Sequence, residues 1–573
     1  MPPGGSHPVI RFERLPVTDG PLLRFEKNRN AMLSDVVERT VHDFIGGSNI
    51  DLLIGEALYS ERFRMKRVKP GFFMRNRRKL DEQLWGYVQG LIRNTGEIDR
   101  KALLDRILWH YAGEVGGHFN PRIYRFACSA VPWGFSWLLN AASVRRFLPW
   151  GMTQSLQSRL NIVGEVPLLQ KLAGHGTILL VPTHQSNIDS VLIGYVIYLM
   201  SLPPFAYGAG LNLFSNPALS FFMSNLGAYT VDRQKTNALY KQFLKNYSTK
   251  ILMDGIHSVF FPGGGRSRSG AIESRIKLGL LGTGIEAQTE NLIKDKEKAR
   301  VFIVPMVTSY HFVLEASSLI EDHLAEAGKH RYIITDDESW QPRKVLSFFW
   351  KLFSSQSSIT VRIGKPLDVF GNFVDEEGRS QGPNGTVVDP VHWLTTCGEL
   401  RKESQRDQEY TRILAAKLVQ RFYRENTVLS SHLVAFSFFE ALRKKYPDLD
   451  LYRFLRLSLE QRSLPYAEFL KSAGQYYDQV SVLVDRGELY LSEDLRRLAK
   501  LSTDTWVQDG IRQLGCLHEA RVIRVADGTL WTEDMNLLYY YRNRLSGYGL
   551  SFHAGRGWTR KGPGQNDELG FLA

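Results

Sequence analysis

Apolar and polar positions alternate in three different ways along the 573 residues, and each way predicts a different architecture. Residues 1 to about 120 follow helical spacing behind an unstructured start, which predicts a helical N-terminal region. From 121 to 370, short β-branched runs alternate with longer apolar ones. Thr177–Val181, Ala228–Val231, Ser258–Phe261, Val301–Pro305 and Ser358–Ile363 read as buried strands, and Val191–Leu199 as a largely buried helix. Residues 371–395, rich in Gly, Asp, Glu and Pro, read as a linker. Beyond it, 396–573 read as a helical C-terminal region, with Arg412–Phe422 and Val434–Leu442 as amphipathic helices and a glycine-rich disordered tail after Ser551. The expectation is an α/β core, a mixed sheet flanked by helices, between two helical regions.

Length supports more than one core, and an apolar fraction of 43% is ample for packing. Cys128, Cys397 and Cys516 are too few and too scattered for a disulfide framework or a zinc pattern. With no apolar signal segment behind Met1, a cytosolic, reducing setting is the default expectation. The formal net charge of +13 favours anionic partners, of which a membrane surface and nucleic acid are the two candidates. Arg62–Lys79 interleaves cations with Phe63, Phe72 and Phe73, a mixture that suits an anionic bilayer, single-stranded nucleic acid or a plain solvated helix face. No recognised nucleic-acid module accompanies it, so nucleic acid is the weakest of these readings.

Candidate chemistry concentrates in the central region. His184 and Asp189 lie in Thr183–Asp189, between a predicted strand and the helix after it, in the crevice where open α/β sheets place their ligands. An imidazole there can take a proton from a hydroxyl, and a carboxylate on its other nitrogen fixes the tautomer. The bland alternative is a histidine satisfied at a helix N-cap and an aspartate favoured by the helix dipole. Downstream, Gly263, Gly264 and Gly265 let the backbone approach a ligand before Arg266, Ser267 and Arg268, and Arg233 and Lys277 each follow or open another apolar run. Arginine holds phosphate in a bidentate fork. A solvated basic loop remains the competing reading, whereas a nucleotide loop lacks its Gly-Lys-Ser/Thr. Pro305, closing the run Val301–Pro305, reads first as a stop to the strand ladder.

His184 and Asp189, the run Gly227–Arg233, the loop Phe261–Gly270 and the run Val301–Val307 stand in the order of the four sequence blocks of the glycerolipid acyltransferases, which they resemble. Gly208–Leu213, the Gly-Gly-Arg-Ser-Arg run and Glu425–His432 resemble more closely the large bacterial glycerol-3-phosphate acyltransferases and their dihydroxyacetone-phosphate relatives, over residues 125 to 480. The resemblance implies His184 as general base, Asp189 as its partner, Arg233, Arg266 and Arg268 (with Lys277 less directly) as holders of the acceptor's phosphate, and Pro305 as substrate-proximal. It implies no cofactor, only a thioester co-substrate, acyl-CoA or an acylated carrier protein, and a glycerol phosphate acceptor. Two departures stand out. His184-Gln-Ser186 replaces the usual His-Arg-Ser and is more like the lysophosphatidate acyltransferases, and Gly263 stands where the third block normally carries a glutamate.

No stretch reaches 18 uninterrupted apolar residues, so interfacial contact is expected in place of a transmembrane span. Phe126–Leu139, apolar and aromatic but broken by Pro132, and Arg343–Phe353, whose aromatics are flanked by cations, are the candidates for it, with docking onto the protein's own core as the alternative. The expected function is acyl transfer from a thioester to the hydroxyl of glycerol-3-phosphate at the cytoplasmic face of a membrane, by a peripheral or monotopic protein. Lysophosphatidate or dihydroxyacetone phosphate are the alternative acceptors, and a non-catalytic membrane-binding homologue is the alternative of another class.

Overall fold

A computed structural model describes residues 19–45, 49–67, 75–93, 99–128, 159–211, 217–327, 357–515 and 521–550. Most of Phe126–Leu139, all of Arg343–Phe353, the tail after Ser551 and Cys516 lie outside the described residues.

Seven strands form the central sheet: β1 Leu160–Gly164, β2 Thr177–Pro182, β3 Ala206–Gly210, β4 Ala228–Val231, β5 Ser258–Val259, β6 Val301–Tyr310 and β7 Ile359–Ile363. Their order is β1-β7-β6-β2-β5-β3-β4. All neighbours are parallel except β6 and β7, so β1 and β7 run against the other five and the sheet is mixed, as expected. The strands read as unbroken apolar runs because both faces are covered. Along β2, Ile178 and Leu180 enter one core and Leu179 and Val181 the other; β6 divides its side chains the same way.

Pro305 does not end β6. The strand continues five residues further, to Tyr310. Ile303 bridges to Leu367, and from Met306 onward the partner is β7, so the proline falls where the ladder changes partners and a missing N–H is tolerated. Nor is 371–395 bare linker: it carries three two-residue strands and a turn of 3-10 helix at Pro390–Leu394, with Leu394 in the core under the glycine loop.

The C-terminal region shares a core with the sheet. The helix Ser430–Lys445, part of it expected to be amphipathic, is buried nearly all round because the helices Thr503–Gly515 and Met535–Arg542 and the sheet all pack on it. At the other end, α1 (Phe25–Ile45), α2 (Ile50–Arg67), α3 (Arg75–Arg93) and α4 (Arg100–Val115) form a second core with the helix Ala238–Met253.

A buried ion network ties that N-terminal bundle to the loop after β4. Lys235, 1% exposed, places its ammonium 2.5 Å from Glu114, 3.4 Å from Asp81 and 3.9 Å from Glu61. Arg64 closes the network at 2.7 Å from Glu61, 2.5 Å from Asp81 and 3.8 Å from Asp232. The carboxylates respond in opposite directions. Burial pushes Glu61 up, whereas for Asp81 the hydrogen bond from His110 and the charges of Lys235 and Arg64 outweigh burial and hold it well below the usual carboxylate range. Arg77 also turns inward to Glu114, so part of the basic stretch Arg62–Lys79 serves the protein's own acids. Among the described residues, Asp81, His110 and Glu114 alone are close enough together to hold a metal ion, and Lys235 sits among them as the cation.

Replacing Lys235 by Met removes the cation shared by three buried carboxylates and leaves them to Arg64, Arg77 and His110. Urea denaturation should show a loss of about 3–5 kcal/mol, the usual cost of breaking one side of a buried charge network; a change below about 1 kcal/mol contradicts the role given to Lys235.

Candidate active site

The crevice at the C-terminal end of β2 brings His184 and Asp189 together. His184 leaves the strand's end and Asp189 is the first residue of the helix Asp189–Leu199, where a carboxylate is favoured by the helix dipole. Nδ1 of His184 lies 2.9 Å from Oδ2 of Asp189. That same oxygen accepts the backbone N–H groups of Gln185 (2.7 Å) and Ser186 (2.9 Å), and Tyr310 donates its hydroxyl to Oδ1. The carboxylate is fully buried, and four donors compensate its desolvation. Tyr310 in turn has its pKa raised far above the ordinary phenol value, first by burial and then by the charge of Asp189.

The imidazole is held on its face as well as at its edge. Phe261 stacks on it with ring centroids 4.2 Å apart. The backbone of His184 is pinned from both sides by the glycine-loop segment: its N–H donates to Oε1 of Glu273 at 2.8 Å, and its carbonyl accepts from Ser267 N at 2.7 Å. The hydroxyl of Ser267 closes a turn onto the carbonyl of Ala271 at 2.6 Å, so Ser267 shapes the loop.

Three of the four predicted cations gather at this loop. A Cβ on Gly265 would lie 3.7 Å from Nη1 of Arg233, and one on Gly264 would meet Nζ of Lys277 at 2.6 Å. Gly264, with φ +68°, sits in the left-handed region that favours glycine, and Gly263 does not. Arg233 is reachable from solvent, yet the packing around its guanidinium, and after it the charge of Arg266, lower its pKa. Arg266 lies 3.5 Å from Glu315, which Ser186 and Asn187 also contact and whose pKa is raised by burial. Two guanidiniums that repel each other across a glycine loop are an arrangement an anion would stabilise. Arg268 is directed elsewhere: it pairs with Glu326 on the helix Ala316–Ala327. Pro305 is buried in the interior of β6, its Cγ 2.9 Å from where a Cβ on Gly364 would be.

Four residues around the site carry no signal in their local sequence. Tyr310 stands three positions past the noted run Val301–Val307, Glu315 in the loop after it, Glu273 in a polar stretch, and Arg544 near the far end of the described chain. Arg544, 2% exposed, donates to Asn426, to the carbonyl of Thr308 and to Ser309, directly behind the catalytic crevice. Burial lowers its pKa to about 10. Nearby, Asn543 donates to the carbonyl of Ser269, and Gly270, with φ +79°, lies so close to the carbonyl of Tyr540 that a Cβ would be 2.3 Å away. The C-terminal region therefore forms the back wall of the loop.

Comparison with known proteins finds relatives over the same region. The Acyltransferase family model matches residues 163–309, which run from within β1 almost to the end of strand β6 and include both His184 and the glycine loop. Over that region the chain is similar to the glycerolipid acyltransferases. It is 29% identical to a glycerol-3-phosphate acyltransferase of Shewanella oneidensis over 44% of this chain and 29% of that one. With that of Shewanella pealeana it shares 27% over 61% and 40% of the two chains, and with that of Haemophilus influenzae strain PittEE 32% over 31% and 21%. The chain thus spans less than half the length of these curated relatives.

The loop geometry sorts the arginines. Isothermal titration with glycerol-3-phosphate should show Arg233→Ala and Arg266→Ala each weakening binding roughly tenfold or more, the scale of one lost charge-assisted hydrogen bond, with Arg268→Ala within about threefold of wild type. Equal losses at all three positions would contradict the division.

Proposed function

We propose that the protein transfers a fatty acyl group from a thioester to the hydroxyl of a glycerol phosphate, glycerol-3-phosphate being the acceptor favoured by the relatives' names. The observation that carries this reading is that the glycine loop around which Arg233, Arg266 and Lys277 gather also binds the backbone of His184, partner of Asp189, through Ser267. A base alone suits many reactions. A base beside an anion site suits an acceptor that carries both a hydroxyl and a phosphate.

In the proposed reaction Nε2 of His184 takes the proton of the acceptor's hydroxyl as its oxygen attacks the thioester carbonyl carbon. His184 keeps its Nδ1 proton, donated to Asp189, whose carboxylate stabilises the imidazolium that forms. The tetrahedral intermediate collapses with cleavage of the carbon–sulfur bond, and the thiol departs with the proton that His184 had taken. Attack is direct, so no serine or cysteine nucleophile is needed. Holding hydroxyl and thioester together is the larger part of the catalysis, because it makes a bimolecular step effectively unimolecular.

The donor, acyl-CoA or acylated carrier protein, is acidic in either case, and the basic surface suits both. We place the reaction at the cytoplasmic face of a membrane, since a long acyl chain is drawn from and delivered to one. No helix among the described residues is long and apolar enough to cross a membrane, so a peripheral or monotopic attachment is the form proposed.

Thiol release from palmitoyl-CoA, measured with purified protein in vesicles and each of glycerol-3-phosphate, dihydroxyacetone phosphate and lysophosphatidate, tests the reading. The expected outcome is release that depends on glycerol-3-phosphate and falls at least about a hundredfold in His184→Ala. Release that ignores the acceptor, or that survives in His184→Ala, counts against it, and dependence on another acceptor moves the substrate without moving the site.

A further inference from the structure

Glu273 stands ten residues beyond the start of the glycine loop, and its carboxyl end is buried against the backbone of His184. Oε1 accepts the His184 N–H at 2.8 Å. Oε2 is buried with no hydrogen-bond partner among the described residues, and the same is true of Nη1 of Arg544, whose positive charge acts on Glu273. A buried carboxyl with half of its hydrogen-bonding capacity unused is costly, so its place against the His184 backbone calls for a reason beyond packing.

The neighbouring glycine connects this group to the loop. Gly263 has no left-handed φ, so its backbone does not demand glycine as that of Gly264 does. What crowds a side chain there is Glu273 together with the loop's own backbone: a Cβ on Gly263 would stand 3.2 Å from Glu273 Oε1, 3.3 Å from the carbonyl oxygen of Gly265 and 3.5 Å from the Glu273 carboxyl carbon. The space that a side chain at 263 would fill is thus taken by a carboxylate arriving from position 273. The exchange accounts for Gly263 in a loop whose sequence otherwise resembles one with an acid there.

We propose that Glu273 is the positioning carboxyl group of the His184 site, supplied from outside the glycine loop into the space beside Gly263. Its role is to fix the backbone of His184, so that Nδ1 stays on Asp189 while the imidazole remains stacked on Phe261 and Nε2 is left for the acceptor. Arg544, from the C-terminal region, is the cation that faces it, which links that region to the chemistry. Burial is the first cause of a pKa for Glu273 of about 8, with the negative charge of Asp189 adding to it and the His184 hydrogen bond and Arg544 opposing. A side chain largely protonated at neutral pH is one that glutamine imitates.

The inference rests on the acyl-transfer reading, and four full-length variants test it: Glu273→Ala, Glu273→Gln, Gly263→Glu, and Gly263→Glu combined with Glu273→Ala. Thiol release in vesicles gives kcat and the acceptor KM, and ¹⁵N-histidine NMR follows the Nδ1 proton of His184, assigned by its loss in His184→Ala. Glu273→Ala should lower kcat by on the order of tenfold to a hundredfold with KM for the acceptor changed less than about threefold, the signature of misplacement of the base. Glu273→Gln should stay within about threefold of wild type, because it keeps the acceptor for the His184 N–H. Gly263→Glu alone should lose activity, and the double variant should recover at least about tenfold over Glu273→Ala, since one acid again fills the shared space. Wild-type kcat in Glu273→Ala, or a loss in Glu273→Gln as deep as in Glu273→Ala, overturns the proposal, as does a folded double variant no better than Glu273→Ala. Should wild-type protein release no thiol with any acceptor, the acyl-transfer reading falls. The NMR signal then decides the role of Glu273: broadening or loss of the Nδ1 proton in Glu273→Ala with retention in Glu273→Gln upholds it, and an unchanged signal in both overturns it.

Discussion

The site depends on one buried carboxylate. Asp189 is removed from water at the head of a helix, and it remains there because two backbone amides, a tyrosine hydroxyl and an imidazole all converge on it. Losing any of these donors leaves a buried charge short of a partner, so the loop Thr183–Ile188, β6 and the helix Asp189–Leu199 are fixed relative to one another by the same group. His184 gains its orientation from this arrangement. A mobile surface histidine of equal basicity would spend most of its time pointing elsewhere.

Everything else near the crevice supports or charges that pair. The glycine loop wraps round His184 from the other side, with Phe261 on its ring and Ser267 on its carbonyl, and delivers Arg266 toward Arg233. Arg233 stands on a loop whose neighbouring residues, Asp232 before it and Lys235 after it, are tied to the N-terminal bundle. Glu273 and Arg544 close the back, the latter from the C-terminal region. The two flanking helical regions are therefore parts of the wall around this crevice: one steadies Arg233 and the other backs His184.

Much of this was legible in the chain because its signals are local. Strands buried on both faces leave unbroken apolar runs, and a strand followed after a few residues by His-x4-Asp and a helix places the pair in the crevice on spacing alone. The glycine loop with its arginines was equally local. What escaped depends on contacts between distant segments. Tyr310 reaches Asp189 across 121 positions of sequence, and Arg544 reaches Thr308 across 236. Proline reads as a strand stop, and only the change of partners between Ile303 and Met306 shows why Pro305 is tolerated within β6. Likewise Arg64 and Arg77 look like solvated charge in sequence, since the acids that bind them come from elsewhere in the chain and from α4.

The central claim is that base and anion site act on one molecule, and a crystal structure of the full chain soaked with glycerol-3-phosphate tests it most directly. The account predicts electron density with the phosphate between Arg233 and Arg266 and a free hydroxyl oxygen about 3 Å from Nε2 of His184, within hydrogen-bond reach. Phosphate bound away from the glycine loop, or held there with each hydroxyl beyond about 5 Å from His184, would contradict it.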